Sequence, residues 1–151
     1  MYEIKKFKLK AYEIRKKLFE KFYLLKEGHP GSVFSILDVL IVLYYGGFIR
    51  IKKKTILDDV IMSKGHATVG QYPILEDLGI ITKKHWKNWG YNQNTNLKMF
   101  GNNSIPGIKT ATGSLGHGIG FATGIVFSAQ KQNRMEGCSL LLPRMVLYVF
   151  G

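Results

Sequence analysis

The chain has 151 residues, 46% of them hydrophobic and 21% charged, a balance that suits one folded domain or part of one and excludes a disordered tail or low-complexity linker. Lysine and arginine outnumber aspartate and glutamate by 22 to 10, a formal charge of +12, which draws anions such as phosphorylated sugars, a cofactor diphosphate or nucleic acid. Cys138 is the only cysteine, so an intrachain disulfide framework is excluded and a reducing, cytoplasmic setting is expected.

The start MYEIKKFKLK carries no apolar signal core. The longest apolar run, Val33 to Tyr45, contains Ser35 and Asp38 and falls short of the ~20 residues of a bilayer span, so no membrane partner is expected. Ile4, Phe7, Ala11, Ile14, Leu18, Phe22 and Leu25 recur at three- and four-residue intervals, which predicts an amphipathic helix with a solvated lysine face. The basic residues are spread along the chain, at Lys5 to Lys10, Arg15 to Lys17 and Lys52 to Lys54, and no nucleic-acid stripe is expected.

Gly28-His29-Pro30-Gly31 breaks that helix, because glycine permits unusual backbone angles and proline disfavours helix just before it. Ser32 is the expected cap of a second helix, apolar nearly all round from Val33 until Gly46-Gly47, and so suited to an interior or a subunit interface. Asp58 to Met62 reads as a short strand entering the loop Ser63-Lys64-Gly65-His66, with a helix from about Ala67 to Leu78 and a stop at Gly79. Thr82 is the expected cap of a short helix holding Trp86 and Trp89, and Asn88 to Ser104 reads as a polar irregular segment. A glycine-rich stretch, Gly113 to Gly120, leads into a helix running to about Gln130, and Met145 to Phe150 is a strand candidate. Helices alternating with short strands over residues 1–151 predict a single α/β domain with a mostly parallel sheet.

Gly113-Ser114-Leu115-Gly116-His117-Gly118 lets a backbone approach a ligand closely, and the helix behind it offers unpaired N–H groups. It lacks both the Gly-Lys-Ser/Thr of a Walker loop and the Gly-x-Gly-x-x-Gly order of a dinucleotide fold. Gly113 and Gly116 are read as ligand-facing; Gly120 and Gly124, four apart, are read as a helix-packing face. His29 and His66 sit beside glycine in loops with no thiol or carboxylate cluster. That context speaks against metal ligation and for hydrogen bonding or proton transfer.

Gly28-His29-Pro30-Gly31-Ser32, then Ser63-Lys64-Gly65-His66-Ala67, then Pro106-Gly107-Ile108 leading into Thr112-Gly113-Ser114-Leu115-Gly116-His117-Gly118, occur in the order and approximate spacing of the transketolase family. The chain resembles the N-terminal module of family members split into separate N- and C-terminal subunits. The resemblance implies an α/β, three-layer thiamine diphosphate-binding fold. It also implies a thiamine diphosphate cofactor with Mg2+, and transfer of a two-carbon ketol unit between sugars. His29 resembles the family histidine near the substrate's reacting hydroxyls, and His66 the one that contacts the cofactor diphosphate. Gly113 resembles the glycine whose carbonyl meets the aminopyrimidine, and Leu115 the bulky residue that keeps the cofactor bent; Ser114 and Gly116 complete that cofactor-binding segment. The implied partners are a C-terminal transketolase subunit or a homodimer partner, and a phosphorylated or nucleotide-linked sugar.

Two features depart from the family pattern. Members carry a further histidine shortly before the Pro-Gly-Ile-type segment, whereas Met99 to Ile105 has none, and the amides of Asn102 and Asn103 hydrogen-bond without titrating near pH 7. In the family the last strand runs into Gly-Asp-Gly, whose aspartate binds the metal; here the sequence stops at Gly151. The expectation is therefore an incomplete module, inactive alone, with no metal ligands of its own. Its rival is a non-catalytic fragment that pairs with a related subunit through the helix Val33 to Tyr45.

Overall fold

The computed structural model describes residues 2–89, 105–108, 110–131 and 147–149. The chain opens with two helices packed on one another, α1 (Tyr2–Leu25) and α2 (Pro30–Tyr45). Ala11, Ile14, Leu18 and Phe22 of α1 and Val33, Leu37, Leu40 and Ile41 of α2 are buried in one cluster, so the three-and-four spacing does become a core-facing stripe. Gly28 at φ +106° turns the chain between the helices, and a side chain there would strike the Phe22 ring at 2.5 Å. Only glycine meets both demands.

The cap of α2 differs from expectation. His29 holds the N-cap position without a side-chain hydrogen bond, Pro30 is the first helical residue, and Ser32 lies inside the first turn. Proline wins the start because its φ is already helical and its missing N–H is one that no helix would satisfy. The helix is buried along Val33, Ile36, Leu37, Leu40, Ile41 and Tyr44, with Val39 and Val42 exposed.

A hairpin follows that the sequence pattern does not announce, with β1 (Ile51–Lys52) antiparallel to β2 (Thr55–Ile56). Its turn residues, Lys53 and Lys54, adopt φ +48° and +63°, the left-handed conformation that two-residue hairpin turns require. Arg50 closes the base, donating from its backbone N to Asp58 Oδ2 at 2.6 Å and from Nε to Asp58 Oδ1 at 2.8 Å.

β3 (Val60–Met62) is buried throughout and pairs in parallel with β4 (Leu147–Val149). After β3 the expected single helix is two pieces, a 3-10 helix at Gly65–Gln71 and then α3 (Tyr72–Asp77). Pro73, in the first turn of α3, cannot donate the hydrogen bond that would continue an α-helix through it. α4 (Lys83–Asn88) starts at Thr82 with a capping box formed with His85, and α5 (Gly118–Lys131) packs on β3 and β4.

The architecture is thus α/β, with a two-stranded parallel sheet and a separate antiparallel hairpin among the described residues. The segment Gly90 to Ser104, with Asn102 and Asn103, and the stretch 132–146, with Cys138, lie outside the described residues.

Candidate functional site: two loops beyond a buried strand

The loop Ser63 to His66 leaves the carboxyl end of β3 and lies directly on the segment that precedes α5. A Cβ added to Gly65 would fall 1.6 Å from the Thr112 carbonyl oxygen, so this close approach exists only because residue 65 has no side chain. The two segments are also tied by polar groups. Thr112 Oγ1 donates to the Met62 carbonyl, and the Gly118 backbone N donates to Ser63 Oγ at 3.3 Å. Ser63 and Thr112 are both buried, where an unpaired hydroxyl is costly. A Cβ at Gly118 would sit 2.6 Å from the Ser63 Cβ. The first residue of α5 is therefore held by the same rule as Gly65.

His66 follows Gly65 in the chain and Gly113 follows Thr112, so both lie one residue from this apposition. His66 in turn meets His29 across the start of α2, ring centroids 4.7 Å apart and rings inclined by 77°. The structure thus brings together two histidines separated by a helix and a hairpin in sequence. Lys64 reaches α2 as well: its Nζ donates to Ser35 Oγ at 3.1 Å, and Ser35 Oγ donates to the Ser32 carbonyl at 2.8 Å. Lys64 and the two imidazoles carry N–H donors of the kind that anionic oxygens accept from.

Gly113, Ser114, Leu115 and Gly116 are exposed. A Cβ at Gly113 or Gly116 meets nothing within 4 Å, and Gly116 has φ +84°. The backbone of these two glycines is thus uncovered among the described residues. The helix-packing expectation for Gly120 and Gly124 is not met, since a Cβ at either also meets nothing within 4 Å. Leu115, Ile119, Phe121, Val126 and Phe127 are likewise exposed. Among the described residues, therefore, α5 has no helix against its glycine face.

Sequence reasoning points to His66 and the glycine segment, and misses Ser63, Lys64, Gly65, Thr112 and Gly118 as site residues. The available signal is the recurrence of a small hydroxyl residue and a glycine at both loops. Their pairing across a separation of 50 residues, Met62 to Thr112, leaves no mark in the spacing. Among the described residues no group of three or more histidine, cysteine, aspartate or glutamate side chains could hold a metal ion. No described helix is long and apolar enough to cross a membrane.

The two loops lie beyond the carboxyl end of a buried parallel strand, the position at which ligands gather in open α/β sheets. Comparison with known families makes the class specific. The model of the transketolase thiamine diphosphate-binding domain matches residues 9–138, and the chain belongs to that family. It is 33% identical over 132 residues to a subunit of the apulose-4-phosphate transketolase of Phocaeicola vulgatus, covering 85% of this chain and 46% of that protein. The like-named subunit from Actinobacillus succinogenes is 32% identical over 110 residues, 69% of this chain and 39% of that protein. The transketolase of Mycoplasma pneumoniae is 36% identical over 74 residues, 47% of this chain and 11% of that protein. The chain thus spans less than half the length of each of these relatives.

Proposed function

We propose that the chain supplies the N-terminal half-site of a split transketolase, binding thiamine diphosphate for ketol transfer between phosphorylated sugars in the cytoplasm. The observations that support this reading are the Gly65–Thr112 apposition of the two loops and the edge-on contact of the His29 and His66 rings. The three-layer, mostly parallel sheet of the family is the architecture into which β3 and β4 would fit.

The residues present fit such a cofactor in part. The uncovered backbone of Gly113 to Gly116 admits a flat ring without a side chain in the way, Leu115 would support its bent shape, and His66 and Lys64 offer donors to a diphosphate. Among the described residues no group of three or more histidine, cysteine, aspartate or glutamate side chains could hold a metal ion, so a Mg2+ would rely on the diphosphate and on few protein ligands. When bound, thiamine diphosphate supplies the carbanion that attacks a ketose carbonyl. The imidazole of His29 would accept a proton from a substrate hydroxyl and return it, with His66 fixing the orientation of its ring. Two of the relatives are each named as one subunit of a transketolase, which supports a partner chain that completes the site. The exposed apolar side chains of α5 supply a surface for it.

Mixing the chain with a transketolase C-terminal subunit tests this reading: ketol transfer that requires both chains and is lost in His29→Ala supports it. The rival is a fragment that only pairs with a related subunit; most apolar side chains of α2, the helix expected to do so, are spent on this chain's own core, and the exposed apolar side chains of α5 offer it a surface instead. Light scattering after size exclusion separates the two, because stable pairing that neither thiamine diphosphate nor His66→Ala alters would support the rival.

A further inference from the structure

A cavity of about 520 Å³ opens between the close of α2 and the hairpin, within the roughly 300–1,000 Å³ of small-molecule sites. Its walls are Tyr44 and Tyr45 at the end of α2, Ile49 and Ile51 on the way into the hairpin, Leu57 after it, and Leu78 after α3. It is a different place from the loops beyond β3. The 16 residues of α2 have His29 at the N-cap and Tyr45 at the last position, roughly 24 Å apart at 1.5 Å per residue.

The two phenols in the wall have their polar ends engaged with this chain. The Tyr44 hydroxyl accepts from Gln71 Nε2 at 3.0 Å, and the Tyr45 hydroxyl donates to Asp77 Oδ2 at 2.6 Å. Four aliphatic side chains make up the rest of the apolar lining. Leu57 keeps 45% of its surface exposed, apolar area that a bound aliphatic body would remove from water.

The charge around this lining has one sign. Arg50 is the charged residue in the wall, and no aspartate or glutamate lines the cavity among the described residues. Asp58 and Asp77, which bond to wall residues, are paired with Arg50 and Lys10. Asp58 is buried, whereas the Arg50 side chain that it fixes remains half exposed. The hairpin adds Lys52, Lys53 and Lys54, all exposed and without an ion-pair partner among the described residues. Lys54 bends back over Gly79, the residue after Leu78, its Cε 3.3 Å from where a Cβ would stand.

From this pairing of an aliphatic wall with a cationic rim we infer that the cavity is a ligand site for a small amphipathic anion. Its aliphatic body would lie against Ile49, Ile51, Leu57 and Leu78, with a carboxylate or phosphate head toward the hairpin lysines. A neutral apolar molecule would gain nothing from the lysine field, and an anion with no body would leave the aliphatic wall in water. The inference uses none of the residues of the cofactor reading, so either can fail while the other stands.

Magnetic resonance of the methyl-labelled full chain reads the site, with decanoate as the probe and decanol and inorganic phosphate as controls for the body and the head. Decanoate is expected to shift the methyl signals of Ile49, Ile51, Leu57 and Leu78 with a Kd of about a millimolar or tighter. Each control should bind about threefold or more weakly. The double variant Lys53→Asn/Lys54→Asn removes two charges and keeps the left-handed turn, which asparagine adopts readily. It should weaken decanoate about threefold or more and leave decanol unchanged. Leu57→Asp, at an exposed position, should weaken decanoate about tenfold, with an unchanged far-ultraviolet spectrum showing that both variants fold. Decanol binding as tightly as decanoate, shifts confined to the exposed apolar side chains of α1 or α5, indifference to either variant, or association with phosphatidylglycerol vesicles but not with free decanoate would each overturn the inference.

Discussion

The α1–α2 pair and the segment from Gly113 to Lys131 are both rich in apolar residues, yet those residues serve different ends. In the first, Val33, Leu37, Leu40 and Leu18 are fully buried within this chain. In the second, Leu115, Ile119, Phe121 and Phe127 stand exposed beside Gly120 and Gly124, where an added Cβ would touch nothing within 4 Å. The first region builds a core inside the chain while leaving side chains such as Leu9, Tyr12, Phe19 and Tyr23 exposed, whereas the large apolar side chains of the second stand mostly outward. The glycines make the contrast sharper, since Gly65 is required by a contact inside the chain while Gly113 is free of any such contact.

That difference is open to direct attack by substitution, beginning with the site's own seam. Gly65→Ala drives a methyl into the Thr112 carbonyl and is expected to cost more than about 3 kcal/mol, in the range reserved for overpacked or broken buried contacts. Denaturant unfolding measures it, and a loss under about 1 kcal/mol would show that the loops are not held together as described. Leu37→Ala, in the core of the first region, is expected to cost about 2–5 kcal/mol by the same method.

Gly113→Ala is the counterpart in the open region. Its Cβ meets nothing within 4 Å, so stability should change by no more than about 0.5 kcal/mol, while thiamine diphosphate affinity falls. Equal destabilisation by Gly65→Ala and Gly113→Ala would erase the distinction between the regions. At the periphery, Thr82→Ala removes one half of the capping box and is expected to cost about 1 kcal/mol.

The smallest expected effect is a pH dependence at the edge of the first region. Burial pushes the Asp77 carboxyl up, but hydrogen bonds from Tyr45 and Lys10 outweigh it and hold the carboxyl below its ordinary value. A depressed carboxylate adds stability that is present above the unfolded-state value of about 4 and is lost as pH falls through the lower folded-state value. Asp77→Asn should therefore flatten the acid limb of the stability curve and leave the region above pH 7 less stable by under about 1 kcal/mol. A steeper acid limb in the variant would reverse the assignment.

Sequence pattern reveals whichever elements are decided locally. The stripe of α1, the buried run of α2, the strand Val60–Met62 and the Thr82 cap each depend on spacing or on a residue whose side chain acts within three positions. The hairpin stays hidden because its turn uses Lys53 and Lys54 at positive φ, where glycine or asparagine is the usual sign. Ser32 looks like a cap until Pro30 claims the first turn. The site is legible as three motifs, but not as an arrangement. Nothing in the spacing states that residue 65 lies on residue 112, or that the His29 and His66 rings meet. The outward face of α1 does carry exposed lysines, at Lys5, Lys6, Lys8 and Lys16, and what the composition leaves out is the exposed Leu9, Tyr12, Phe19 and Tyr23 among them.

The central claim is that the two loops beyond β3 form one cofactor-binding surface, and it is tested most directly by magnetic resonance of the isotopically labelled chain titrated with thiamine diphosphate and Mg2+. Shifts concentrated in the Gly113 to Gly116 amides and the His29 and His66 rings, and absent in Gly113→Ala, are the predicted result. Saturating cofactor that leaves those signals in place, or moves only residues of α1 and the hairpin, would contradict it.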